Sequence, residues 1–292
     1  MYTMSSTTIK HYLSLVKFSH TIFAMPFAMI GFFMAVAKAG HSFDWTRLLL
    51  VVLCMVFARS AAMAFNRWLD AEFDKKNPRT AQREIPAGII SSGNALYFVI
   101  GNALLFMATT WFINPLCFFL SPVALVVVLG YSYTKRFTAL CHLVLGVGLS
   151  LAPVGAFLAV TGYFSLLPVL LSVLVLCWVS GFDIIYALQD EEFDKSQQLH
   201  SIPAWLGKAG GLRFSEGLHV VAAGLAVTIG LLGAFSWLYW IGAGVFMLML
   251  LMQHRLVKPG DLSRVNLAFM TTNGVASVVY AVFAIADMLI FK

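Results

Sequence analysis

Charge is scarce in this sequence: 13 Asp and Glu and 19 Lys and Arg in 292 residues, 11% of the chain. A water-soluble domain of this length covers itself with far more polar surface, so that class is excluded. Cysteine is scarce too. Cys54, Cys117, Cys141 and Cys177 lie in or beside apolar runs with no CxxC pair, which argues against a disulfide framework or a zinc set. They read as small core hydrophobes. No low-complexity tract, long polar linker or separate soluble domain interrupts the chain. Its first ten residues are polar and the first apolar run lacks a small-residue cleavage site, so a cleavable leader is not expected.

What is present is apolar length. Hydrophobic residues make up 60% of the chain, and runs of about 18 or more, each enough to cross a ~30 Å hydrocarbon core, recur from end to end. The pattern predicts an all-α integral membrane bundle of about nine helices, near 19–37, 47–69, 95–113, 116–131, 139–161, 166–186, 218–235, 238–253 and 267–291, forming one domain over 1–292. The net charge of +6 does not point to nucleic acid, because the cations sit in short loops between spans. One set of alternate loops carries most of them, from Lys10 and Lys17 through Lys75, Lys76, Lys135 and Lys195 to Arg264. The other holds only Lys38, Arg47 and Lys292. That bias places the N-terminus and the even-numbered helix exits in the cytoplasm, the chain being a multi-pass protein of a bacterial-type inner membrane.

Eight of the 13 acids fall in two stretches, 66–74 and 183–194. Asn66, Asp70 and Asp74 recur every four residues, and Asp183, Tyr186, Asp190 and Asp194 follow at three, four and four, so a continuing helix would put each set on one face. Asp70 to Asp190 and Asp74 to Asp194 are both 120 residues apart. This predicts two parallel halves whose clusters emerge on the same side and face a central cavity. Hard oxygen donors at this spacing suit Mg²⁺, which keeps several waters and shares phosphate oxygens. Two facing clusters could neutralise a diphosphate leaving group. A single cluster would be no more than a solvated helix end; two in register argue for a site.

Cations lie nearby. Tyr131, Lys135 and Arg136 stand at the exit of the fourth predicted helix, where they either bind diphosphate or act as a positive-inside anchor. Arg79 and Arg83, in a Pro- and Gly-containing loop after the first cluster, could close over phosphates as a lid. Lys17 and His20, before the first span, could meet an acceptor carboxylate. Arg59 and Arg67 are expected to snorkel or pair with acids, His142 to be a core histidine, and Asp287 shows no partner.

In this arrangement the chain resembles the UbiA superfamily of intramembrane aromatic prenyltransferases. The resemblance covers nearly the whole chain, on Asn66-x-x-x-Asp70-x-x-x-Asp74, Tyr131-x-x-x-Lys135-Arg136-x-Thr138 and Asp183-x-x-Tyr186-x-x-x-Asp190-x-x-x-Asp194, in that order. It implies a nine-helix bundle around a lipid-open cavity. By that resemblance Asn66, Asp70, Asp74, Asp190 and Asp194 bind Mg²⁺-diphosphate, Tyr131, Lys135 and Arg136 contact the diphosphate with help from Arg79 or Arg83, and Asp183 and Tyr186 line the reacting end. The substrates implied are a polyprenyl diphosphate and a small aromatic acceptor, in ubiquinone or menaquinone synthesis, with no obligate protein partner. The run from Asn77 to Gly88 looks most like the 4-hydroxybenzoate branch. Ser132 stands where that branch often has proline, and Cys141-His142 where it often has Pro-Gln. Lys17 and His20 replace its usual arginine pattern. A bicyclic acceptor, 1,4-dihydroxy-6-naphthoate of the futalosine route, therefore competes with 4-hydroxybenzoate. Two other classes are weaker: a proton- or cation-coupled transporter would carry its acids mid-helix, and a CDP-alcohol phosphotransferase would carry an Asp-Gly…Ala-Arg pattern absent here.

Overall fold

In lipid a backbone must satisfy its own hydrogen bonds within each segment, so long apolar runs fold as helices. The computed structural model describes residues 6–16 and 23–291. Among these, eight helices are long and apolar enough to span: α3 (Trp45–Leu69), α5 (Ser92–Trp111), α6 (Pro115–Thr134), α7 (Cys141–Thr161), α8 (Leu166–Ala187, with its continuation), α10 (Ile202–Leu232), α11 (Trp237–Leu256) and α12 (Asn273–Ile290, entered through a π-helical turn at Leu267–Thr272). A ninth, shorter apolar helix is α2 (Met25–Phe33), extended by a π turn to Lys38. Each predicted span thus has its helix.

Local chemistry sets the helix starts. Asp44, Ser91, Asn114 and Ser201 accept the backbone N–H of Thr46, Asn94, Cys117 and Ala204, and Pro115 and Pro203 occupy first-turn positions where a missing N–H costs nothing. The expected start of the seventh span near residue 218 is corrected to Ile202. The stretch 202–217 carries Lys208, Arg213, Glu216 and four glycines, which reads as a loop. It is helical on either side of a kink at Gly207, where φ is +71°. Only glycine adopts that backbone without strain.

The helices pack in sequence-adjacent pairs, α3 with α5, α7 with α8, α8 with α10 and α11 with α12, while α2 lies against α7. Two contacts are close. A Cβ at Gly31 would meet the Pro153 carbonyl oxygen at 2.1 Å, and one at Gly146 would meet Ser180 Oγ at 2.2 Å and the Leu176 carbonyl at 2.7 Å. Small residues let helices approach in this way where lipid offers no hydrophobic drive to associate. The core is aromatic: Trp178, Phe27, Phe246, Tyr239 and Tyr280 are fully buried. Polar groups pair across it, Trp178 Nε1 donating to Asn273 Oδ1 at 2.9 Å and Tyr239 to the Ala226 carbonyl at 2.6 Å. Large apolar side chains such as Phe119, Val126 and Val220 point outward, as a lipid-facing surface requires. This is an integral membrane protein.

Short elements gather at one end. There, α1 (Ser6–Leu15) tucks Leu15 against Ala64 and Ile90. Two short helices, α4 (Ala71–Lys76) and α9 (Glu191–Ser196), continue the lines of α3 and α8. Asp287, which lacked a partner in the sequence, acquires one at the opposite end: its two carboxylate oxygens accept the backbone N–H groups of Ser236 and Tyr239, both at 3.0 Å. It caps α11 from a neighbouring helix.

Candidate active site

The two acidic motifs do not ride on unbroken helices, as their spacing predicts. α3 stops at Leu69, and Asp70 takes φ −94°, ψ 9° before α4 begins. α8 tightens into a 3₁₀ turn, Leu188–Asp190, and Asp190 takes φ −102°, ψ 4° before α9 begins. Two aspartates 120 residues apart thus occupy the same kind of backbone break. The i, i+4 pattern survives because each helix resumes at once.

The motifs converge through side chains. After α4 the chain runs as turns across 77–91 and reaches the second motif: Asn77 Nδ2 donates to Asp190 Oδ1 at 3.2 Å, and Arg79 grips Asp190 with Nη2–Oδ2 at 2.6 Å and Nε–Oδ1 at 3.1 Å. Arg79 Nη1 also donates to the Tyr186 hydroxyl at 3.1 Å. Arg83 Nη1 donates to both oxygens of Asp74, at 2.8 and 2.9 Å. Lys135 Nζ lies 2.7 Å from Asp194 Oδ1, and Ser201 donates to the other oxygen at 2.8 Å. Arg136 reaches Asp70 at 3.4 Å and the Leu69 carbonyl at 2.9 Å, while Asn66 donates to Asp70 at 3.0 Å. Asp70, Asp74, Asp190 and Asp194 therefore each carry a cation.

These charges perturb one another. Burial, and then the neighbouring Asp74 carboxylate, push the Asp70 carboxyl up to about 6 against the pull of Arg136 and Lys135. Burial disfavours the Lys135 ammonium, but Asp194 and Asp190 outweigh it and the net direction is upward.

Below the motifs lies a cavity of about 620 Å³. Asp70, Asp190, Lys135, Arg83 and Asn66 line one end, and Ile113, Leu158 and Phe164 the other, with apolar walls from Val128, Leu145 and Leu149 between. Its polar end thus opens beneath the paired charges, and its length follows the spanning helices. Tyr131, Asp183 and Tyr186 line it as well. Asp74 and Asp194 stand behind Asp70 and Asp190, and Arg136 sits outside the lining, on the end of α3. Lys17 and His20 lie outside the described residues.

The sequence reading of Arg59 and Arg67 holds for one of them. Arg67 is buried against Glu84 at 3.3 Å, with Ser14 hydrogen-bonded to the same carboxylate. Both line the cavity, but Arg59 has its Nε buried there with no hydrogen-bond partner among the described residues. Such a cation belongs to a site rather than to an anchor. Only its position, seven residues before Asn66 on the motif helix, could have signalled this. His142 likewise lines the cavity, 2.7 Å from Asp183.

Residues 24–275 match the model of the UbiA prenyltransferase family. The chain belongs to that family. This prenyltransferase is 31% identical over 234 residues to a 4-hydroxybenzoate octaprenyltransferase of Nitrosospira multiformis, covering 80% of each chain. Its fold matches that of an apo UbiA homologue from Aeropyrum pernix with a TM-score of 0.83 and 31% identity, over 92% of this chain and 98% of that one. A UbiA homologue from Archaeoglobus fulgidus bound to DMAPP and Mg²⁺ superposes with a TM-score of 0.76 at 19% identity, over 96% and 99% of the two chains. That level of identity speaks for the fold alone.

The donor set suits a hard cation. It consists of carboxylate and amide oxygens from two helix breaks, bridged by Asn77 and Arg79, with no thiolate or imidazole among them. Among the described residues no three His, Cys, Asp or Glu side chains already converge as a metal cage. The carboxylates are turned instead onto their cations. Oxygen ligands that leave room for waters and phosphate oxygens are what Mg²⁺ uses, so the residues fit.

Proposed function

We propose that this prenyltransferase moves a polyprenyl group from its diphosphate to a ring carbon of a hydroxylated aromatic acid of the 4-hydroxybenzoate type, with Mg²⁺, at the cytoplasmic face. The observation that carries the reading is the meeting of both acidic motifs and their cations at one end of an apolar cavity that runs along the spanning helices. The names of the curated relatives support the acceptor class. The cation-rich loops support the cytoplasmic assignment.

Asn66, Asp70, Asp74, Asp190 and Asp194 would hold Mg²⁺, which supplies Lewis-acid neutralisation of the departing diphosphate when bound. Lys135, Arg79 and Arg83, released from their aspartates, turn to the diphosphate oxygens, with Tyr131 as a hydrogen-bond donor and Arg136 holding the rim. The apolar walls take the prenyl tail and keep water from the allylic cation, which would otherwise be quenched to an alcohol. Arg59, whose buried Nε has no hydrogen-bond partner among the described residues, anchors the acceptor carboxylate. Asp183 and Tyr186 flank the ring as it attacks.

The test is a purified-enzyme assay with labelled polyprenyl diphosphates of several lengths against a panel holding 4-hydroxybenzoate and 1,4-dihydroxy-6-naphthoate. Turnover should require Mg²⁺, vanish with EDTA, and fall at least ~10³-fold in Asp70→Ala and in Asp190→Ala, the scale of a lost electrostatic clamp. Near-wild-type rates in either variant would remove the mechanism. Preference for the naphthoate would reassign the acceptor, and ion flux in proteoliposomes without prenyl transfer would replace the reading by a transporter.

A further inference from the structure

The reaction releases a proton, and the diphosphate motifs do not account for where it goes. Asp183 stands on α8 seven residues before Asp190, about 10 Å deeper at 1.5 Å per residue, on the cavity wall. Its Oδ2 is held at 2.7 Å by Nδ1 of His142, while the carboxylate itself keeps 25% exposure. His142 is buried, and among the described residues its Nε2 has no hydrogen-bond partner. The pair is rigidly set. Ser180, one turn before Asp183, donates to the His142 carbonyl at 3.1 Å. Gly146, one turn after His142, brings α7 and α8 so close that a methyl group would overlap Ser180 Oγ and the Leu176 carbonyl. Two ionisable side chains at bilayer depth are costly to insert and mark function when they face a cavity. Packing alone would be served by apolar residues.

We propose that His142 is the positioning residue of a proton-accepting pair: its Nδ1–H holds Asp183 Oδ2 and so aims Oδ1 at the acceptor ring. In the step itself the allylic C–O bond breaks with its electron pair leaving on diphosphate, and a ring π pair forms the new C–C bond. The C–H electron pair then returns to the ring, and the proton passes to Oδ1 of Asp183, from which it leaves with the products. Holding one oxygen of the carboxylate fixes the geometry of the other, which is what a general base needs. The inference rests on the prenyl-transfer reading above.

The experiment compares wild type, His142→Leu and His142→Asn with farnesyl diphosphate, Mg²⁺ and the aromatic acid that wild type accepts, either protiated or deuterated at the reacting ring carbon. Leucine fills the space without a donor; asparagine restores an N–H where Nδ1 stands. Melting in detergent checks that each variant is folded. In wild type, proton loss follows C–C bond formation quickly, and the two acceptors should react at equal rates. His142→Leu should lose at least ~10-fold in kcat, a partial loss of the ~10²–10⁴-fold that a general base contributes. It should also acquire a deuterium effect of about twofold or more, with the KM for farnesyl diphosphate nearly unchanged. His142→Asn should recover most of the rate and lose the isotope effect. A wild-type rate in His142→Leu, a slow variant without an isotope effect, or an asparagine variant as impaired as leucine would each overturn the assignment. A wild type that prenylates no acid would defeat the underlying reading instead, and the two failures are distinguishable.

Discussion

Arg59 concentrates the acceptor question in one side chain. Its Nε is buried at the cavity wall with no hydrogen-bond partner among the described residues, an expensive state for a guanidinium unless a ligand completes it. Replacing it by leucine should raise the KM for the aromatic acid by about tenfold or more, the value of one charge-assisted hydrogen bond of ~1.5–3 kcal/mol, and leave the KM for the prenyl diphosphate within about twofold. Steady-state kinetics with each substrate varied in turn measures this, and equal effects on both would place Arg59 elsewhere in the reaction. Residue identity at the motifs was legible from the sequence because i, i+4 spacing of Asn and Asp is a local signal. Arg59 was not, since its meaning depends on which face of α3 looks inward, and an isolated arginine in an apolar run reads equally well as an anchor. Pairings such as Arg79 with Asp190, 111 residues apart, have no sequence signature at all.

Among the elements, existence was easier to read than boundaries. Among the described residues, eight long helices and the shorter α2 answer the nine predicted spans, because nothing but helix suits an apolar run of that length in lipid. The start of α10 was missed by sixteen residues because Gly207, Gly210 and Gly211 among charges imitate a loop, whereas packing against α8 holds the segment helical. The breaks at Asp70 and Asp190 were also hidden. Periodicity says that side chains share a face, and a one-residue interruption followed by another helix preserves that. Asp287 shows the same limit from the other direction, for its role is to cap α11 from α12. Asp287→Ala should strip that cap and leave a buried N–H unpaired, costing about 1–3 kcal/mol. A lower melting temperature in detergent should accompany normal kcat and KM below the transition. Altered substrate kinetics at low temperature would show that the cap does more than hold the helix.

For the molecule as a whole, the first and last described helices lie at opposite ends of the bundle. α1 lies at the carboxylate end and the last turn of α12 at the other. An alkaline phosphatase fused after the C-terminus should therefore be active in an intact bacterial cell, and one inserted in the loop after α4 inactive. The reverse pattern would invert the assigned orientation. A last consequence follows from the four internal ion pairs. The protein at rest is its own counter-ion: on the proposed reading, each acid that would hold the metal is neutralised by a base that would hold the phosphate, so neither ligand could be taken up without freeing the site for the other. Binding must then be linked, by the reciprocity that any coupling free energy obeys. Titration calorimetry should find inorganic diphosphate alone and Mg²⁺ alone each weak, with either one tightening the other severalfold. Independent affinities would mean that the ion pairs are spectators.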